Sequence, residues 1–271
     1  MPSCSLINLG SCLPQVFFEF LRDIINAPLQ PFLQLTLHLL SEPINIDLFG
    51  RIWIIIVYMI SMFYALLLVA SGLSFMISGY DSAKRENAKE WLKNIVIMII
   101  LVQASFFIYK LIINLAAAMT SATLSLVDPN FFLISIGSIS DLGLAIMLGV
   151  VYLATLILTS LILTVRYAVV AIGVVFLPIG IFFYFFDPMK QYGSLILNIL
   201  GSAIFATFFA SILLIGFAQL SDIGIFTDLR IIVLISAFLF IDVLMLFLMF
   251  FSIVKSALNV YAGVKKLGAK L

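Results

Sequence analysis

Charge is scarce in this 271-residue chain: Asp, Glu, Lys and Arg together make up 10% of it, while 64% is hydrophobic. A soluble domain of this size needs far more charge on its surface, so the composition specifies an integral membrane protein. Histidine occurs once, at His38, and cysteine twice, at Cys4 and Cys12. A Cys-x7-Cys spacing with a single distant histidine is no zinc site, and His38 reads as a residue on the polar face of a helix. Most nucleophile–base pairs are excluded by the same shortage. No Gly-x-x-x-x-Gly-Lys phosphate loop is present. The formal net charge of +1 gives no face for binding nucleic acid. No enzyme, no cofactor and no metal site is expected. With the N-terminus outside, an oxidising compartment permits a Cys4–Cys12 disulfide.

The few charges are grouped, and the grouping carries the information. Residues 80–94 hold Lys84, Arg85, Lys89 and Lys93, with spanning-length apolar segments on both sides. A charge at mid-bilayer costs at least ~2.5–3.5 kcal/mol on insertion scales. The stretch therefore projects from the membrane, and its basic excess places it in the cytoplasm. A helix capped at Asp81 or Ser82 is expected to run through it into the next apolar segment, with Trp91 as an interfacial anchor. Lys110 is expected to snorkel to the outer interface.

The expected fold is all-α: a polytopic transmembrane bundle of five to six long apolar segments with amphipathic interfacial helices at both ends. Residues 1–51 form the extracytoplasmic part, with helices at 15–27 and 32–41 separated by Pro28 and Pro31. Residues 52–254 form the bundle. Residues 255–271 form a basic amphipathic cytoplasmic tail. Segment one is 52–79 and segment two about 91–115, followed by a turn-rich external loop over 120–141. Segment five (193–220) carries Gly201, Ala206 and Ala210 as a small-residue seam for helix packing. Segment six is 231–254.

Residues 142–186 are too long for a single straight crossing, since 45 residues of helix reach ~68 Å against ~30 Å of hydrocarbon. They are expected either to cross twice with a turn near Arg166, or to cross once with a break around Gly173, Pro178 and Gly180. Loop charge favours one net crossing. It puts nine basic residues inside (Lys84, Arg85, Lys89, Lys93, Lys190, Lys255, Lys265, Lys266 and Lys270) against Arg22, Arg51 and Arg230 outside. The expected topology is N-terminus outside, C-terminus inside, with five net crossings. Arg166 and Asp242 lie within apolar runs. Each alone would be expensive in hydrocarbon, so the two are expected to neutralise one another as an ion pair, the alternative being that they line an aqueous path.

Two stretches carry a resemblance: the basic segment GYDSAKRENAKEWLKNIVI (79–97) before a long apolar helix, and LTVRYAVVAIGVVFLPIGIFFYFF (163–186) before a short loop and a small-residue helix. Together they resemble the polytopic inner-membrane subunits of type IV secretion and conjugation machines, the TrbL-like family, and the archaeal CedA-like DNA-import subunits. The resemblance covers roughly residues 50–220. It implies a homo-oligomeric ring in the bilayer, a cytoplasmic conjugation-type ATPase and pilin or other secretion subunits as partners, and single-stranded DNA or protein as cargo. The alternatives from other classes are a small-molecule or ion secondary transporter, for which no internal repeat is visible, and a non-transporting membrane scaffold.

Overall fold

The computed structural model describes residues 20, 27, 29–78, 82–132, 142–186, 189–221, 223 and 229–268. Cys4, Cys12, most of the 15–27 helix, Asp81 and residues 133–141 lie outside the described residues. The described residues are helical apart from short connections. Helix α1 covers 29–41. A 3-10 turn, Asp47–Phe49, leads into α2, Gly50–Ile77. Then follow α3, Ser82–Leu124, α4, Leu142–Phe185, α5, Lys190–Ser221, and α6, Arg230–Gly268. Five of them are long and apolar enough to cross a membrane, in the spans Asp47–Ile77, Ser82–Leu124, Met147–Phe185, Lys190–Ser221 and Arg230–Phe251. The chain is a multi-span membrane protein of helical class.

The helix boundaries correct several expectations. Residues 142–185 form one unbroken helix with Pro178 inside it, neither two crossings with a turn at Arg166 nor a broken re-entrant piece. A break would strand backbone N–H and C=O groups where water cannot reach them, which costs more than the single hydrogen bond that proline removes. α6 likewise continues into the lysine-rich tail as one helix to Gly268. The 120–141 connection begins later than expected. α3 runs on to Leu124, and the 3-10 turn Pro129–Phe132 buries Phe131 and Phe132. α1 is amphipathic, with Gln34 and His38 exposed, but it also buries Leu29, Thr36 and Leu40. His38 Nε2 lies 2.8 Å from Glu42 Oε1 on the exposed face.

Two compact units divide the chain. One comprises Met1–Glu42, Ala118–Thr164 and Thr207–Met245; the other comprises Pro43–Ala117, Val165–Ala206 and Leu246–Leu271. The second unit has an apolar core read off helical periodicity: Val57, Ile60, Tyr64 and Leu67 on α2, Ile95, Met98, Val102, Tyr109 and Ile113 on α3, and Val170, Val174, Leu177 and Ile181 on α4. These three-, four- and seven-residue steps keep one face of each helix toward its neighbours. Lipid tails are as apolar as leucine, so van der Waals fit and hydrogen bonds hold the helices together, and water exclusion does not. Trp53 Nε1 donates to Ser105 Oγ at 2.9 Å, and the Tyr109 hydroxyl donates to the Val170 carbonyl at 2.7 Å.

Glycine is required at two close approaches in this unit. A Cβ on Gly173 would overlap the Tyr109 hydroxyl and the Leu200 side chain; one on Gly193 would overlap the Tyr184 backbone. Lys110 is exposed, and its Nζ lies 2.9 and 3.2 Å from the two carboxylate oxygens of Asp47, tying α3 to the turn before α2.

Candidate functional site: buried charge and hydroxyls in the spanning helices

The first unit places an acid in a setting of hydroxyls. Asp242, on α6, is 3% exposed. Its Oδ2 accepts a hydrogen bond from Thr159 Oγ1 of α4 at 3.1 Å, and its Oδ1 has no hydrogen-bond partner among the described residues. Around Thr159, α4 presents hydroxyls at one-turn spacing over 155–164. Thr155 donates to the Tyr152 carbonyl, Ser160 to Leu156 and Thr164 to Ser160, each at 2.8 Å. Hydroxyls that fold back on the preceding turn satisfy themselves within their own helix, so they cost little in lipid. They also keep a second lone pair for another group. Ser160 uses it across helices, with its Oγ 2.8 Å from Thr36 Oγ1 of α1. Elsewhere in the same unit, Thr120 of α3 meets Thr207 of α5 at 3.5 Å, and Thr123 meets Ser211.

Arg166, 5% exposed on α4, belongs to the second unit. Its Nε donates to the Ala203 carbonyl at 2.7 Å and its Nη2 to the Ile204 carbonyl at 3.0 Å, both on α5. Helix carbonyls retain a free lone pair beside their own hydrogen bond. Ala203, fully buried, has too small a side chain to block the approach. Within its own unit the guanidinium is held by main-chain carbonyls and the carboxyl by a threonine hydroxyl. A spanning helix offers such neutral dipoles at every turn, which a reading that counts only charged side chains as partners leaves out.

The remaining expected residues are placed as follows. Lys84, Arg85, Lys89 and Lys93 lie exposed on the first turns of α3, and the Arg85 guanidinium stands 5.6 Å from the centre of the Phe75 ring of α2. Ala206 and Ala210 are fully buried, as helix-packing residues should be. Gly201 has, among the described residues, no atom within 4 Å of where its Cβ would stand. Thr36, Thr155, Thr159 and Ser160 were missed, although the i, i+4 recurrence of hydroxyls in 155–164 was visible in the sequence.

A carboxyl buried with one unpartnered oxygen needs neutralising by a proton or a small monovalent cation. Hydroxyls that both donate and accept can serve either. Among the described residues no three His, Cys, Asp or Glu side chains gather at one point. Comparison with protein-family models, with curated proteins and with solved structures finds no match for the chain.

Proposed function

We propose that the chain is a channel or assembly subunit of a type IV secretion-like apparatus for conjugation or DNA import. In this reading it lies in the cell membrane with its N-terminus outside and its C-terminus in the cytoplasm. It self-associates and works with a cytoplasmic ATPase and with pilin or other secretion subunits to pass DNA or protein. The observation that carries the reading is α3. Its 43 residues reach about 64 Å at 1.5 Å per residue, roughly twice the hydrocarbon thickness. Its exposed, basic first turns extend the apolar span as one rigid rod, a shape suited to a soluble partner beneath the membrane. α2 supports self-association, because only 11% of its spanning window is buried within the chain. Deleting the gene should abolish DNA or protein transfer between cells, and the tagged chain purified from native membranes should be a homo-oligomer accompanied by a conjugation-class ATPase. Undiminished transfer by the deletion strain would contradict the proposal.

A second reading, an ion or small-molecule transporter, draws on the unpartnered oxygen of Asp242. It predicts that proteoliposomes containing the chain alone carry out solute-coupled proton or cation flux, and that Asp242→Asn abolishes that flux. The secretion reading predicts no such flux without the other subunits.

A further inference from the structure

A cavity of about 970 Å³ opens where α2 ends, α3 begins and α5 begins. Its walls differ in chemistry. α2 and its C-cap supply Ala70, Leu73 and Ile77 together with two serines, Ser74 and Ser78, and Leu73 and Ile77 are themselves widely exposed. α3 supplies Lys84, Asn87, Trp91 and Asn94, and α5 supplies Lys190. Among the described residues of the lining there are one carboxylate, Glu90, and two lysines. Lys190 is seated over the Tyr184 ring, its Nζ 5.6 Å from the ring centre.

The position along the helices follows from sequence. α3 changes from charged to apolar between Trp91 and Ile95, while the facing part of α2 is apolar to Ile77. The cavity therefore straddles the boundary between hydrocarbon and headgroups, with a tryptophan at the level where such anchors sit. Its volume is in the range of ligand sites. Two amides and two ammonium groups on the α3 and α5 side suit a phosphate and its polar ester. The exposed aliphatic side chains on the other suit acyl chains.

We propose that this cavity is a binding site for one anionic phospholipid, its phosphate between Lys84 and Lys190 and its acyl chains along the α2 wall. Basic residues near a membrane surface favour anionic lipid, but a zwitterionic lipid would gain little from two lysines. A bound lipid would fill the wedge between α2 and α3 where α3 leaves the membrane, and so brace the projecting rod.

Trp91 lines the cavity, and the chain has only one other tryptophan, Trp53. The full-length Trp53→Phe protein, reconstituted in phosphatidylcholine vesicles, reports on the site through Trp91 alone. Brominated phosphatidylglycerol should quench Trp91 in a saturable way, with roughly tenfold preference over brominated phosphatidylcholine. Lys84→Gln with Lys190→Gln should erase that preference. Lys89→Gln with Lys93→Gln, which removes the same charge from residues outside the cavity, should retain it. Equal quenching by both lipids would overturn the proposal, as would a preference that survives loss of Lys84 and Lys190 or disappears with Lys89 and Lys93. Relief of quenching by millimolar soluble glycerol phosphate would also overturn it, by showing a free-phosphate site.

Discussion

Arg166 and Asp242 each meet neutral hydrogen-bonding partners within their own unit. Arg166 uses two carbonyls of α5, and Asp242 uses one hydroxyl of α4. Exchanging the two residues tests this directly. A direct ion pair would tolerate Arg166→Asp with Asp242→Arg. Here the new carboxylate would face the Ala203 and Ile204 carbonyls, so the exchange should give no rescue, measured as monodisperse protein on size exclusion. Arg166→Ala should destabilise by about 2–4 kcal/mol, as large-to-small changes in packed interiors do. Arg166→Met, similar in volume and free of desolvation cost, should lose far less. Asp242→Asn keeps an oxygen to accept from Thr159 and should leave folded yield close to that of the parent.

At the scale of elements, the helices were largely legible and their contacts were not. Spanning length, the continuous charged-to-apolar passage from Ser82 onward and the buried Ala206 and Ala210 all follow from composition and period. The continuity of α4 did not. Gly173, Pro178 and Gly180 read as helix breakers by rules drawn from water, where a broken helix can hydrogen bond to solvent. In a bilayer the same glycines become places of close approach. Gly201, the residue that looks like a packing glycine, has nothing among the described residues within 4 Å of its Cβ position, while Gly173 is filled by Tyr109 and Leu200. Which face a glycine turns to its neighbours depends on helix rotation, and an all-apolar helix encodes that weakly. Gly173→Ala should therefore cost about 1–3 kcal/mol, and Tyr109→Phe in the same protein should recover part of it by removing the overlapping hydroxyl. Gly201→Ala should be neutral or stabilising by up to about 1 kcal/mol. Thermal unfolding of the detergent-purified variants distinguishes these outcomes.

For the whole molecule, five helices are long and apolar enough to span, and the proposed orientation puts the basic start of α3 in the cytoplasm. Reversing Lys84, Arg85, Lys89 and Lys93 together should scramble insertion, seen as mixed accessibility of a terminal tag; unchanged orientation would show that these residues do not set it. The most direct measurement labels single cysteines with a membrane-impermeant thiol reagent in intact cells, in a background with Cys4 and Cys12 changed to serine. Ser82, Met189 and Ile223 are suitable sites, since each is exposed and lies at or beyond a helix end. If α4 crosses once and the basic start of α3 is cytoplasmic, cysteines at 82 and 189 are shielded and one at 223 is labelled. Labelling at 189 with shielding at 223 would mean that residues 142–185 return to the side they start from, and would contradict the single continuous crossing on which the topology depends.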